Sequence, residues 1–433
     1  MPDRYLVVSA DGHAGPPQPG YREHFERRHL AEFDAYCARR RNADAAAAAA
    51  RGDPGALAAI LDAFLRAVGA TPEMARAYSR ISRRLCGAVF DSKLRDACLD
   101  EEGIAAEVLY PDGFLDNQPP FSDPMESDGS VIVGTRAYPF ELRAAGARAY
   151  NRWLAEFCAQ SPERRAGVAF LPPAHDVAAI VEELHFAKRA GLRGGFLIPP
   201  LDEGLPGWHD PHYAPIWRAA EELELPIASH GGSARAADGA RVYGGREPVA
   251  SVLHFTESAF LDRRPLWFFL WGGIFERHPG LRLVFAEQLA HWVPQELQRL
   301  DEMYDMFNLG ALRAQLPLRP SEYWRRNCWI AATFLSRAEA QLRAGMGEGR
   351  VLWGSDFPHP EGTWPHTPTC LRQTFHGLPQ REVAAMLGES ALSLYAFDRA
   401  KLRALADRIG PRATDLALPP EALPSDYLGM GLR

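Results

Sequence analysis

The chain has 433 residues, 47% of them hydrophobic and 24% charged, so it can bury a large core without help from disulfides. Its formal net charge of -7 argues against nucleic acid as a partner. Six cysteines, Cys37, Cys86, Cys98, Cys158, Cys328 and Cys370, lie far apart with no Cys-x-x-Cys pair and no signal peptide, which reads as reduced thiols in a cytoplasmic protein.

Tyr5 to Ala10 is a short run rich in β-branched residues that ends in Asp11-Gly-His13, the pattern of a buried strand with two potential ligands at its carboxyl end. From Arg22 to Asp91 the pattern turns helical, and this length is read as an insertion after the first strand that lids the active site, with Phe64, Tyr78 and Phe90 as contact surface. The alanine run Ala45 to Ala50 reads as a low-complexity connector. After a helix near Ser92 to Glu102, apolar strand-like runs recur at Ala106–Tyr110, Gly167–Leu171, Gly195–Ile198, Pro226–Ser229, Arg282–Ala286, Cys328–Ala332 and Val351–Trp353. Helical patterns separate most of them, at Phe140–Ala159, Val177–Ala190, Tyr213–Glu224, Phe255–Arg277, His291–Met306 and Ser336–Ala344.

Eight strand-helix units predict an α/β fold of the (β/α)8 barrel type, residues 1–407, with the helical insertion 22–91 inside it. A doubly wound sheet would need a Gly-rich first turn that is absent here. The proline-rich tail 408–433 is expected to wrap the surface or cover a partner rather than build the core. The most apolar stretch, Pro265 to Phe275, is far shorter than the roughly 20 residues that span a bilayer, so no membrane partner is expected.

Laid on a barrel, the ionisable residues at strand ends form a set. Asp11 and His13 follow the first strand, His230 the fifth, Glu287 the sixth and Asp356 the eighth, and the fold would bring them to one mouth. Carboxylates and imidazoles without cysteine make a site for iron, zinc or manganese. A carboxylate leaving an apolar strand, as Glu287 does, is costly unless paired or bound to metal. His291, four residues beyond Glu287, would share its face if a helix began at once. The loop Ser355 to Pro365, stiffened by Pro358, Pro360 and Pro365, adds His359 and Glu361. We therefore expect metal ligation by Asp11, His13, His230, Glu287 and Asp356, with His291, His359 and Glu361 as catalytic residues: His291 as a direct ligand or hydrogen-bonded to one, His359 and Glu361 completing the metal site or handling a proton. The glycines after His230 would allow close approach of an ion or substrate.

Ser9-Ala-Asp-Gly-His13, Ser229-His-Gly-Gly232, Phe285-Ala-Glu287 and Trp353-Gly-Ser-Asp-Phe-Pro-His359 together resemble the amidohydrolase superfamily, in particular the amidohydrolase-2 branch of decarboxylases and carbon-carbon hydrolases. The resemblance implies a distorted barrel with metal held by His13, His230 and Asp356. It departs at Asp11, where much of the superfamily has a His, and at Glu287, where the decarboxylases have a His; Gly194 to Ile198 offers no lysine for a carbamate bridge. The start and end motifs also look like amidohydrolase-fold non-haem diiron monooxygenases of actinomycete diterpenoid biosynthesis. On that resemblance and the ligand count, the expectation is hydroxylation of a bulky apolar acid or its coenzyme A thioester by two iron ions, fed by an external electron donor. An apolar wall of Trp267, Phe268, Trp271, Trp292 and Trp364 would hold the substrate, and Arg235, Arg241 and Arg246 would meet its anionic end. The alternatives are a hydrolase or a non-oxidative decarboxylase using one zinc or manganese. Barrels with aromatic surface helices often pair, which makes a homodimer an admissible assembly.

Overall fold

The computed structural model describes residues 3–423 and 427, apart from 41–42, 54, 57–58, 61–86, 113–115, 123–137, 199–200, 202–203, 233–252, 254–255, 258, 307–309, 334 and 360. Eight strands, β1 (Val8–Ser9), β2 (Ala106–Leu109), β3 (Arg165–Phe170), β4 (Gly195–Leu197), β5 (Ile227–His230), β6 (Leu283–Ala286), β7 (Cys328–Thr333) and β8 (Val351–Gly354), run parallel in sequence order. Ala10 N donates to Trp353 O at 2.9 Å, joining β1 to β8 and closing the sheet into a barrel. The barrel predicted from the eight apolar runs is present. Its strands are almost wholly buried, which explains why they read as continuous apolar runs instead of alternating ones.

Local chemistry sets the connections. Asp91 caps the helix Ser92–Glu101 by accepting from the Lys93 and Leu94 amides, and Ser336 with Glu339 forms a capping box on Arg337–Gln341. The expected helix Phe255–Arg277 is interrupted: Arg264–Trp271 ends at Gly272, and Gly273, at φ 67°, turns the chain before Ile274–Arg277. Helix Phe140–Ala159 lies tight on the loop after β2, since a Cβ on Gly146 would stand 1.8 Å from Pro120 O.

Two expectations are corrected. The alanine run forms a helix, Ala43–Ala50, whose Ala46 and Ala49 are buried in a small apolar cluster with Ile60, Val89, Cys98 and Phe357. That cluster ties the insertion to the loop after β8. The tail does more than wrap the surface: Tyr5 N donates to Pro411 O at 2.9 Å, Ala413 N to Asp3 O at 2.9 Å, and Leu416 and Tyr427 are buried. It therefore closes the amino-terminal end of β1. Of the expected lid contacts, Phe90 packs on the core, whereas Phe64 and Tyr78 lie outside the described residues. Among the described residues no helix is long and apolar enough to cross a membrane, and Cys37, Cys98, Cys158, Cys328 and Cys370 are free thiols.

Candidate active site

At the carboxyl end of the barrel, β1 and β8 extend past their pairing and are stitched together. Ser355 N donates to Ser9 Oγ at 2.9 Å, Asp356 N to Asp11 O at 3.1 Å and His13 N to Phe357 O at 2.8 Å. Gly354 permits this, because a Cβ there would meet the Asp11 Cβ at 2.6 Å. The chain then turns sharply: Asp356 stands at φ 57° and Glu287 at φ 49°, left-handed conformations that non-glycine residues adopt rarely and that cluster at functional sites.

Asp11, His13, His230 and Asp356 are fully buried. Two groups share His13: Asp11, His13 and His230, and His13, Glu287, Asp356 and His359, with the ligand atoms of each group within 4.8 Å of one another. His13 Nδ1 faces Pro111 O, an acceptor, at 3.2 Å, and Nε2 looks into the cluster, 3.0 Å from Asp356 Oδ1, 3.7 Å from Asp11 Oδ1 and 3.8 Å from Glu287 Oε2. His230 is arranged alike, with Nδ1 3.0 Å from Gly231 O and Nε2 3.3 Å from Asp11 Oδ1. Thr333 Oγ1 donates to the second oxygen of Asp11. His359 stacks on His13 with ring centroids 4.1 Å apart and planes 8° from parallel, and its Nδ1 lies 3.2 Å from Asp356 Oδ1.

The charges are strongly coupled. Burial opposes ionisation of Asp356, yet His359 and His13 beside it hold its carboxyl at about 2. Burial also disfavours the His359 cation, but Asp356 and Asp112 outweigh it and push the imidazole well above its ordinary value. Glu287 is driven well above the usual carboxylate range, first by burial and then by Asp356 and Asp11. Three carboxylates this close in a dry site call for a cation. Asp356 Oδ2 is buried and finds no hydrogen-bond partner among the described residues. An orphaned carboxylate oxygen beside the Nε2 atoms of two buried imidazoles fits a divalent metal, and the mixed oxygen and nitrogen set suits manganese, zinc or iron.

Asp11, His13, His230, Glu287, Asp356 and His359 are thus brought together, and in the same locality burial, with Asp356 adding to it and His359 opposing it, raises the Glu361 carboxyl. His291 is placed elsewhere. Its side chain is 56% exposed and lies 3.5 Å from Glu339, because the helix starts at Trp292 and the residues before it form a turn whose Ala290 and His291 amides are capped by Glu339. The glycine after His230 also serves a different end, since a Cβ on Gly231 would stand 2.3 Å from Glu287 O, so it admits the neighbouring strand's loop. The aromatic wall is dispersed: Trp267 donates to Glu296, Phe268 stacks on His209, and Trp292 packs on Phe285 and Trp324, whereas Trp364 packs on Phe357 beside the site loop. Arg235, Arg241 and Arg246 lie outside the described residues. Sequence reading missed Asp112, 3.2 Å from His359 Nε2, and Thr333. Asp112 had a usable signal, a carboxylate two residues beyond the apolar run Ala106–Tyr110.

A parallel barrel with a buried imidazole-carboxylate cluster at its carboxyl mouth defines the class: a metal-dependent barrel enzyme. A family model described as amidohydrolase matches residues 100–397, and the chain belongs to that family. A gamma-resorcylate decarboxylase of Rhodococcus jostii (strain RHA1) is 29% identical over 237 residues, covering 52% of this chain and 69% of that protein. The crystal structure of 5-carboxyvanillate decarboxylase LigW from Sphingomonas paucimobilis superposes with a TM-score of 0.59 at 21% identity, covering 91% of this chain and 100% of that one. A dihydroxybenzoic acid decarboxylase from Polaromonas sp. JS666, solved with bound manganese and the inhibitor 2-nitroresorcinol, gives a TM-score of 0.53 at 21% identity over 77% of this chain and 96% of that one. At such identities the structural likeness shows the fold. The curated relative is a decarboxylase, and this overturns the expectation of a diiron monooxygenase with an external electron donor and a thioester substrate. Ligand count misled because superposed donors were assumed to need a second ion, whereas the buried carboxylates also partner imidazoles and the Thr333 hydroxyl.

Proposed function

We propose that this protein is a metal-dependent, non-oxidative decarboxylase of a hydroxylated aromatic carboxylic acid. The observation that carries the reading is the buried cluster at the barrel mouth, in a chain whose curated relatives remove carboxyl groups from aromatic acids. Asp11, His13, His230 and Asp356 would hold one divalent ion, with Glu287 beside it. Such an ion supplies Lewis acidity toward the carboxylate and an adjacent ring hydroxyl of the acid.

The chain's own residues do the rest. Loss of carbon dioxide breaks the bond between ring and carboxyl carbon, leaves the electron pair on the ring, and requires one proton at that carbon. His359 is the proton store, with Nδ1 turned on Asp356 Oδ1 3.2 Å away and its ring held by the stack on His13. Glu287, whose side chain is 21% exposed where Asp11, His13, His230 and Asp356 are fully buried, faces the incoming acid. Burial of Asp11, His13, His230 and Asp356 keeps bulk water from the reacting carbon.

The test uses protein loaded with manganese or zinc and given 2,6-dihydroxybenzoate or 5-carboxyvanillate without oxygen. Carbon dioxide should appear, chelation should stop it, and in D₂O the vacated ring carbon should carry deuterium. Metal-replete protein that releases no carbon dioxide from any ortho-hydroxy aromatic acid, or that turns over only when oxygen is admitted, sinks the proposal.

A further inference from the structure

The loop after β2 carries a chain of buried polar contacts that ends on the proton store. Asp112 is buried, with Oδ1 3.2 Å from His359 Nε2. Its other oxygen, Oδ2, accepts from Asn117 Nδ2 at 3.2 Å, and that amide also donates to Gly15 O at 3.3 Å. Asn117, itself buried, has its carbonyl held by Tyr21 OH at 2.7 Å. Gln18 Nε2 donates to Gln118 O at 2.8 Å, and Arg40, at the end of the helix Leu30–Arg39, forms an ion pair with Asp116. Asp116 stands at φ 59° and Phe121 at φ 61°, so the loop is held in a shape the chain would not choose alone.

We propose that Asp112 is a positioning residue for His359: gripped by Asn117, its carboxylate accepts a hydrogen bond from Nε2–H and so fixes the imidazole with Nδ1 turned on Asp356. An imidazole stacked on a neighbour can still flip by a half-turn about its Cβ–Cγ bond, which keeps the ring plane, or exchange which nitrogen carries the proton. The stack on His13 fixes the ring plane, and the bond to Asp112 fixes the remaining freedom. Asp112 acts through His359, which stands between it and Asp356. The role also explains why the segment after β1 clamps this loop, through Gln18 and Tyr21 just before the insertion and Arg40 within it: the clamp sets where Asp112 stands.

The kinetic arm of the test rests on the decarboxylase reading, and the spectroscopic arm does not. In ¹⁵N-histidine-labelled, zinc-loaded protein, the Nε2–H signal of His359, assigned by its loss in His359→Gln, should shift or vanish in Asp112→Ala. Metal content by elemental analysis should be retained. In turnover, Asp112→Asn should lower kcat roughly 10- to 100-fold with KM little changed, as loss of an orienting partner does elsewhere. In Asp112→Asn the new amide faces the Asn117 amide, two donors opposed, so the swap Asp112→Asn with Asn117→Asp restores a donor-acceptor pair and should recover part of kcat and the His359 signal. An unmoved His359 signal in Asp112→Ala overturns the proposal, as does an unchanged kcat in Asp112→Asn. If no aromatic acid is decarboxylated at all, the function proposed above fails while the spectroscopic arm still decides this one.

Discussion

Arg95, fully buried beneath the site, holds two things at once. Its guanidinium grips Glu107, with the shortest contact 2.7 Å to Oε2, and donates to His13 O at 2.7 Å. Removing it leaves Glu107 buried with Arg165 Nε at 3.8 Å as the nearest remaining cation, so Arg95→Met should lose about 3–5 kcal/mol of stability in urea unfolding. It should also lower metal content, since the His13 backbone is freed. Glu102 predicts the opposite sign. Burial raises its carboxyl above the ordinary 4.5, opposed by the Thr367 amide donating to Oε2 at 2.8 Å. The folded state therefore binds this proton more tightly than the unfolded one, and the protein loses stability as pH rises from 4.5 through the folded value. Glu102→Gln keeps an acceptor for Thr367 and should flatten that decline; a stability-pH curve identical to the unsubstituted protein's would contradict it. At this scale, residues at the ends of apolar runs were legible, because a charge straight after a buried strand has few innocent explanations. Asp112 offered the same signal two residues past an apolar run and was passed over, whereas Thr333 was not legible, since a threonine closing an apolar run has no charge to mark it and its partner Asp11 lies far away in sequence.

Elements differed in how much they disclosed. Helix Phe140–Ala159 was readable end to end because Pro139 starts it and a long one-faced apolar pattern sustains it. The stretch 255–277 was misread as continuous, since apolar composition hid the Gly272-Gly273 turn that ends one helix and starts another. His291 was misplaced for a related reason: a turn capped by Glu339 from another element stands where a helix was assumed to begin at once. The close seat of helix Phe140–Ala159 on Pro120 gives an element-level prediction. Gly146→Ala puts a methyl 1.8 Å from a backbone carbonyl, which cannot move as a side-chain tip can. The helix or the loop after β2 must shift, and the substitution should destabilise by about 1–3 kcal/mol despite the better helix propensity of alanine. A melting temperature equal to or above that of the parent would show that the seat is looser than its geometry implies.

For the whole molecule, the barrel was legible because parallel strands buried on both faces leave uninterrupted apolar runs, and eight of them with helices between leave few architectures. The tail was not, because proline-rich composition says where a chain cannot be regular and nothing about what it covers. Its contacts lead to a prediction that spans the molecule. Tyr5 and Asp3 bond to Pro411 and Ala413, and Leu416 is buried, so the tail fastens the chain just before β1, whose extension carries Asp11 and His13. Deleting residues from Pro411 onward exposes that anchor. Burial of Leu416 alone is worth about 1.5–3 kcal/mol, and the fastened amides add to it. The site and the tail are at opposite ends of β1, so loss of the tail should act by loosening the strand. The truncated protein should unfold at lower urea and hold divalent metal more weakly, and saturating manganese or zinc should restore part of the stability, since a ligand at 100 times its Kd contributes about 2.7 kcal/mol. A truncated protein with lowered stability but unchanged metal affinity would confine the tail's effect to the amino-terminal end of the barrel.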